Sequence, residues 1–282
     1  MPASFAPSRS RSGGPPSRQR RAWRRLAAFA LAAVPMLAAA AAGADAGTPD
    51  PLAGTRQLVV VIAPGWDASE ARLQAWQRDG AGRWQAQGAP FDVSIGRAGS
   101  AWGLGRLPVP EQAAGPRKRE GDGRSAAGVF AIGTAFGYAE RIDSAMPYKA
   151  AQQDSYCIDV PDSPLYNTLV DAHVVGADAV KGSTEPLRLD LHHDGDIRYR
   201  EGFVIEQNPQ AVPGRGSCIF AHLRRPPGEP TAGCTAMEPE NMQRLLAWLR
   251  PEAQPRFVLL PAAEYRRLQA AWHLPASRDA TK

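Results

Sequence analysis

The chain has 282 residues and a formal net charge of +5, with 44% apolar and 22% charged residues. This composition is typical of a globular protein with one sizeable core. Residues 1–46 hold seven arginines and one aspartate, so the rest of the chain is close to −1. Because no basic surplus remains after residue 46 and no arginines alternate with aromatic residues, we expect no nucleic-acid partner.

Residues 1–46 have the organisation of a secretory signal peptide. An arginine-rich segment precedes an alanine-rich apolar run at 26–42, and Ala44-Asp45-Ala46 fits a cleavage site of small residues. A retained membrane anchor is the alternative, but Pro35 interrupts the run, which is barely long enough to span a bilayer. We therefore expect export to the periplasm with no stable membrane insertion after cleavage. The rest of the chain is then divided into a linker at 47–55, one domain at 56–275 and a polar tail at 276–282.

The first half of the domain is predicted to be mostly sheet. The β-branched run QLVVVIA at 57–63 predicts a buried strand that ends before Pro64-Gly65. Segment 71–88 is typical of a hairpin with its turn at Asp79-Gly80, and segment 91–95 alternates as a further strand.

A glycine-rich loop follows, in which Lys118, Glu120, Asp122 and Arg124 are interleaved with glycines ahead of a predicted strand at 129–132. A nucleotide-binding loop would have to open a helix, so that function is excluded. Two interpretations remain open, a solvated turn and an edge of a substrate site.

The segment after residue 186 is predicted to form a hairpin. Leu187, Leu189 and Leu191 alternate with period two, a turn follows at 194–196, and the return strand runs through 197–205.

A short strand and two helices are predicted near the C-terminus. The segment SCIFAH at 217–222 predicts a strand that ends at His222. Apolar residues at helical spacing predict a helix that begins at Pro239 and stops at Pro251, and segment 262–275 predicts a second helix. Many short strands with one or two late helices indicate a mainly β sandwich or barrel.

The chain contains three cysteines, and this odd number leaves at least one thiol free in an exported protein. Cys157 and Cys218 lie in strand-like apolar segments and are either buried thiols or a disulfide. Cys234 lies in a turn of small residues, twelve positions after His222, ahead of the helix that begins at Pro239.

A glycine turn, a nearby helix N-terminus and an imidazole favour ionisation of a thiol. We therefore predict Cys234 as a nucleophile, with His222 as its base and the N–H groups of Gly233 and Cys234 as an oxyanion hole. The alternative is a packed thiol and an unrelated histidine.

The segments GSCIFAH at 216–222 and PTAGCTAM at 230–237 resemble the catalytic signature of the L,D-transpeptidase catalytic-domain family, which has the YkuD-type fold. In that family a strand-end histidine precedes a Ser/Thr-x-Gly-Cys turn, and His222, Thr231, Gly233 and Cys234 occupy those places. RSAAGVFAIG resembles the family's Thr-Pro-x-Gly-x-Phe element. KREGDGRS and EYRRLQAAWHLP resemble a periplasmic branch of the family.

The resemblance implies a YkuD-like β-sandwich or barrel and an enzyme acting on peptidoglycan stem tetrapeptides. Cys234 would attack the L-centre carbonyl of diaminopimelate and form a thioester as D-alanine leaves. His222 would be general base and acid, Gly233 a backbone oxyanion contributor, and Thr231 would shape the turn. No cofactor is implied.

The acceptor that resolves the thioester separates three functions. Transfer to an amine makes an L,D-transpeptidase, whereas transfer to water makes an L,D-carboxypeptidase or a hydrolase of wall linkages, and a wall-linked protein is a further partner in the family. The second alternative is a wall-binding module without catalysis.

Two features depart from the family pattern. Ala236 stands where the family has arginine or asparagine, so Arg215, Arg224 and Arg225 are the candidates for the missing substrate contact. The interval from His222 to the cysteine is also shorter than in many members, which fits a trimmed loop over the site.

The segment DLHHD at 190–194, with His173 upstream, raises metal-dependent hydrolysis as an alternative. On a strand only Asp190, His192 and Asp194 would share a face, with His193 opposite, and their spacing matches no zinc signature. We interpret these residues as a polar outer face and expect no metal site.

Overall fold

The computed structural model describes residues 50–109, 113–225 and 229–280, so the predicted signal peptide lies outside the described residues. The strands in these ranges are β1 (Gln57–Ala63), β2 (Glu70–Arg78), β3 (Trp84–Ser94), β4 (Ser100–Trp102), β5 (Ser125–Gly137), β6 (Tyr148–Ala150), β7 (Ser155–Cys157), β8 (Leu169–Asp171), β9 (Glu185–Pro186), β10 (Glu201–Glu206), β11 (Phe220–Leu223), β12 (Thr235–Met237) and β13 (Arg256–Pro261).

The α-helices are α1 (Ala172–Val175), α2 (Leu189–His192), α3 (Pro239–Trp248) and α4 (Ala262–Leu268), and short 3₁₀ turns lie at Ala177–Val180, Pro251–Ala253 and Arg278–Ala280. No helix within the described ranges has both the length and the apolar character needed to cross a membrane.

Eight strands form one closed sheet, in the order β10-β11-β12-β3-β2-β1-β13-β5, with β5 pairing back onto β10. The 13-residue β5 closes this barrel because its first part pairs with β13 and its second part with β10. β7, β8 and β9 form a separate three-stranded sheet. The predicted mainly β class with late helices is confirmed, in the form of a barrel.

The core of the barrel is built largely from β-branched and aromatic side chains of the central strands. All seven residues of β1 are buried, as predicted, because β2 and β13 flank this strand and α4 packs against it. Burial of each large aliphatic side chain stabilises the fold by about 1.5–3 kcal/mol relative to exposure. A second, smaller cluster contains Cys234 together with Phe136, Tyr199 and Phe220.

The β2-β3 hairpin is confirmed, and Asp79 fixes its turn by accepting the N–H groups of Ala81 and Arg83 at 2.9 Å each. The helix predicted at Pro239 is confirmed as α3, which buries Met242 and two leucines. The second predicted helix is α4, which is shorter than the predicted span.

The predicted hairpin at 187–205 is wrong in its first half. Leu189 begins the short helix α2, and only the return segment contains a strand, β10. Leu187 and Leu189 are buried, but the third leucine of the apparent alternation, Leu191, is 53% exposed. Arg188 and Asp190 form an ion pair at 2.7 Å that closes this helical turn.

Candidate active site

Cys234 and His222 meet at the parallel strand pair β11–β12. His222 lies opposite Ala236 in the register of this pair, and Cys234 immediately precedes β12. His222 is the third of the four residues of β11 rather than the last. The exposed fractions are 8% for Cys234 and 3% for His222, so both side chains are buried.

The turn before the thiol is fixed by two hydroxyl groups. Thr231 Oγ1 donates a hydrogen bond to the Cys234 carbonyl at 2.7 Å and accepts the Gly233 N–H at 3.1 Å. Ser125 Oγ donates to the same Cys234 carbonyl at 2.7 Å. Thr231 therefore has the contacts expected of a residue that shapes the turn, and Ser125 is a contact that the sequence did not indicate.

Gly233 is required by its backbone and by its surroundings. Its φ is +152°, and a Cβ at this position would lie 3.0 Å from the Arg124 carbonyl oxygen. The Gly233 N–H is already hydrogen-bonded to Thr231 Oγ1, so this bond competes with the predicted donation of the same N–H to an oxyanion. The Cys234 N–H is the other donor of the predicted oxyanion pair.

The Cys234 thiol is free and enclosed. Its Sγ accepts the Phe220 N–H at 3.3 Å and donates to the Cys218 carbonyl at 3.6 Å. Burial, and to a smaller extent the nearby Glu185 carboxylate, raises the pKa of this thiol to about 12, whereas the Phe220 N–H and Lys118 lower it. The resting thiol is therefore protonated at neutral pH.

The helix N-terminus predicted beside this thiol is not there. β12 lies between Cys234 and Pro239, the first residue of α3, and a three-residue strand spans about 10 Å. The helix dipole acts mainly within its first turn, so it contributes little to ionisation of Cys234.

His222 is a neutral imidazole. Its Nδ1 lies 2.8 Å from the Leu223 carbonyl oxygen, which assigns the ring proton to Nδ1 and leaves Nε2 as the acceptor. Burial lowers the pKa of this imidazole to about 4. Within the described residues, no hydrogen bond joins His222 to Cys234, so the pair rests as thiol and imidazole rather than as an ion pair.

Cys157 and Cys218 form a disulfide with a Cα–Cα distance of 5.9 Å, which resolves the two alternatives left by the sequence. The Cys218 N–H also donates to Asn167 Oδ1 at 2.9 Å. Since the Cys218 carbonyl and the Phe220 N–H are the two hydrogen-bond partners of the Cys234 thiol, the disulfide anchors the segment that surrounds this thiol.

Tyr199 and Glu185 complete the surroundings of His222. The Tyr199 ring meets the imidazole edge-on at a centroid distance of 5.3 Å, and its hydroxyl donates to Glu185 Oε2 at 2.7 Å. Glu185 is partly exposed as a residue, but its carboxylate faces this buried hydroxyl, and burial raises its pKa to about 7. No local pattern indicated either residue as part of the site, since Tyr199 lies in the predicted return strand at 197–205 and Glu185 precedes the predicted hairpin.

The glycine-rich loop at 118–124 is a turn into β5 that is solvated in part, with Arg119 and Gly121 exposed and Lys118 buried. The Lys118 side chain is 3% exposed and its Nζ is ion-paired with Asp122. Asp122 also accepts the N–H groups of Arg119 and Arg124. The end of this loop touches the cysteine turn through the Arg124 carbonyl and Ser125, which favours its interpretation as an edge of the site.

The three arginines predicted to contact substrate lie in two places. Arg215 donates to the Lys118 carbonyl at 3.3 Å, beside the glycine-rich loop. Arg224 and Arg225 directly follow β11 and line a cleft of about 630 Å³. Arg225 is ion-paired with Asp196 at 2.6 Å and with Glu229 at 3.0 Å.

The residues considered for a metal site are engaged elsewhere. Asp190 is paired with Arg188, His192 Nε2 lies 2.9 Å from the Gln153 carbonyl, and His173 is paired with Asp154. No group of three or more histidine, cysteine or acidic residues in the described part of the chain has an arrangement suited to a metal ion.

Neither the models of known protein families, nor the curated proteins, nor the solved structures compared with this chain give a match.

Proposed function

We propose that the protein is a periplasmic L,D-transpeptidase with a YkuD-like barrel, and that it acts on peptidoglycan stem tetrapeptides. One observation carries the proposal: a free thiol on a Thr-x-Gly-Cys turn and a neutral imidazole lie on two adjacent parallel strands. The Cys157–Cys218 disulfide supports an exported setting, because disulfides persist mainly in oxidising compartments.

The protonation states determine how the proposed reaction starts. A thiol with a pKa of about 12 and an imidazole with a pKa of about 4 do not form a resting thiolate–imidazolium pair. His222 Nε2 would instead take the thiol proton while Sγ bonds to the diaminopimelate carbonyl carbon, as general-base catalysis requires.

The remaining steps use the same two residues. The C–N bond to D-alanine breaks, the proton passes from His222 to the leaving amine, and a thioester remains on Cys234. The acceptor amine of a neighbouring stem then attacks this thioester and loses a proton to His222, which returns it to the thiol. The N–H of Cys234, the residue that carries the attacking thiol, would donate to the oxyanion formed in each step. If water takes the place of the amine, the same residues perform hydrolysis.

A wall-binding module without catalysis is the second candidate, and a specific observation favours it. The thiol is buried, protonated and not hydrogen-bonded to the histidine among the described residues. Such a thiol has the properties of an inert core cysteine until substrate binding changes its surroundings.

Mass spectrometry of muropeptides separates these functions. The purified protein is incubated with sacculi that contain diaminopimelate, with Cys234→Ala and His222→Gln as matched controls. New 3-to-3 cross-linked dimers with D-alanine release, absent from both controls, would support transpeptidation. Tripeptides without new cross-links would identify a hydrolase. Sacculus binding with unchanged muropeptides in all three proteins would favour the binding module and refute the proposed enzyme.

A further inference from the structure

A basic cleft adjoins His222 and is not used by the proposed proton transfers. It is lined by Arg198, Arg224, Arg225, His193, Asp194 and Asp196, among others. The Arg198 carbonyl accepts the Leu223 N–H at 2.9 Å, so the cleft begins at the residue that follows the histidine. The charges of Arg198, Arg225 and Asp196 also influence the pKa of His222, which is consistent with this short separation.

Arg224 differs from the other two arginines of the cleft because most of its guanidinium lacks a partner. Its side chain is only 9% exposed, and its nearest carboxylate oxygen, Glu238 Oε1, lies 3.8 Å from Nη1. Nε and Nη2 are buried and have no hydrogen-bond partner among the described residues. A buried charged donor without a partner costs several kcal/mol, so its presence indicates a group whose partner arrives from outside.

Arg198 and Arg225 are held in place by one carboxylate. Asp196 Oδ2 lies 2.8 Å from Arg198 Nε and 2.6 Å from Arg225 Nη2, and the Asp196 side chain is 8% exposed. This bridge engages Arg198 and Arg225 and leaves Arg224 as the arginine of the cleft whose Nε and Nη2 lack a partner among the described residues.

The charge of the cleft selects the type of anion. Three arginines and two aspartates line it, an excess of one positive charge when its histidines are neutral. Nε and Nη2 of one guanidinium form the planar, two-donor edge that matches the two oxygens of a carboxylate. A monoanion is therefore favoured over a phosphate dianion, which the two aspartates would repel.

We infer that Arg224 binds a carboxylate of the stem peptide in this cleft, through Nε and Nη2, and thereby orients the substrate with its reactive carbonyl towards His222 and Cys234. The choice of a stem peptide rests on the proposed function, whereas the carboxylate site rests on the unpartnered guanidinium. A stem tetrapeptide offers three carboxylates, on its γ-linked D-glutamate, on the side chain of diaminopimelate and on its terminal D-alanine, and each presents two oxygens to a guanidinium.

Equilibrium binding tests the inference without any turnover. The Cys234→Ala protein is titrated with the soluble tetrapeptide L-Ala-γ-D-Glu-meso-diaminopimelate-D-Ala and with three derivatives, amidated at the D-glutamate α-carboxyl, on the diaminopimelate side chain or at the terminal D-alanine. Arg224→Gln is then added to the Cys234→Ala background. Arg244→Gln, on α3 and outside the cleft, is the matched control for loss of one arginine.

We expect one of the three amidations to weaken binding about 10- to 100-fold, and Arg224→Gln to weaken binding of the free acid to the same extent. The two losses should not add, because both remove the same contact. The amidated derivative whose affinity does not change with Arg224→Gln identifies the carboxylate that Arg224 binds. Arg244→Gln should leave all four affinities within about twofold of the parent protein.

Arg224→Met provides a second measurement that does not depend on affinity. Because Nε and Nη2 have no partner among the described residues and Nη1 reaches only Glu238 at 3.8 Å, this variant should unfold at the same temperature as the parent or higher. It should also lose the rise in melting temperature that the tetrapeptide causes.

Three results would overturn the inference: equal affinities for the acid and all three amides, no binding of any peptide, or a marked fall in melting temperature for Arg224→Met with its peptide response unchanged. The proposed function fails separately, if muropeptides stay unchanged while the preference for the free acid and its dependence on Arg224 remain.

Discussion

The reactivity of Cys234 towards iodoacetamide follows directly from its surroundings. Burial raises its pKa from 9.0 to about 12, so at pH 8 about one thiol in ten thousand is ionised, against about one in ten for an ordinary thiol. Because the thiolate is the reacting species, we expect alkylation of the folded protein to be about a thousandfold slower than that of the unfolded chain. The rate should rise about tenfold per pH unit from pH 6 to 11 without a plateau.

The chain suits this assay because the other two cysteines are joined in a disulfide, so alkylation reports on Cys234 alone as long as no reductant is present. The unfolded protein in denaturant supplies the reference rate. His222→Gln should leave the folded rate unchanged, since no hydrogen bond within the described residues links this imidazole to the thiol. A plateau below pH 8 that disappears in His222→Gln would refute this reasoning, because it would identify a resting thiolate–imidazolium pair.

Three further predictions concern the residues that build the site. Gly233→Ala should destabilise the fold by about 1–3 kcal/mol in urea unfolding, because its φ is +152° and the new Cβ would press on the Arg124 carbonyl. Gly121→Ala, at a positive φ but with open space around it, should cost only about 1 kcal/mol, and equal losses would contradict the steric argument. The pKa of Glu185 is raised from 4.5 to about 7, so the folded state holds this proton more tightly than the unfolded chain and stability falls as pH rises between these values. Glu185→Gln should remove up to about 3 kcal/mol of that fall between pH 5 and 7.5, and an unchanged pH dependence in urea unfolding would show that other groups cause it. The double variant Cys157→Ser/Cys218→Ser should lose about 2–5 kcal/mol of stability and alkylate faster at Cys234, because its two hydrogen-bond partners lie on the released segment. A stability loss with no change in alkylation rate would mean that the disulfide supports the fold but not the surroundings of the thiol.

Local sequence patterns correctly predicted the elements in which neighbouring residues form a single buried face or a single turn. β1 is a continuous β-branched run that is buried on both sides, and the β2-β3 hairpin has its turn at an aspartate that caps it. α3 begins at a proline, where the missing N–H costs nothing, and buries its apolar residues at helical spacing. In each case the signal lies within about ten consecutive residues.

The segment at 187–192 was predicted wrongly because its pattern is too short to separate a strand from a helical turn. Three leucines at alternate positions match period two, yet one of them faces solvent. The ion pair between Arg188 and Asp190 joins residues two apart, which would also share one face of a strand, so this pair does not distinguish the two structures either.

Sequence patterns predicted which central residues of the site lie close together, but not which residues surround them. Cys234, His222 and Thr231 lie within one stretch of the chain, and their order alone suggested their proximity. Ser125 and Glu185 reach the same place from distant segments, 109 residues from Cys234 in the case of Ser125. The burial that protonates the thiol depends on that tertiary packing, so no local pattern predicted it.

The positions of the three cysteines also govern how the chain folds under oxidising conditions. Cys157 and Cys218 are 61 residues apart, whereas Cys218 and Cys234 are separated by only 16. Loop-closure entropy alone makes the shorter loop about sevenfold more frequent in a fully reduced, unfolded chain. When a denatured and reduced sample is oxidised, Cys234 should therefore first form a non-native disulfide with Cys218. Slow disulfide exchange should then restore the free thiol of Cys234. During N-to-C synthesis, however, Cys157 and Cys218 emerge before Cys234 and can pair while it is still absent.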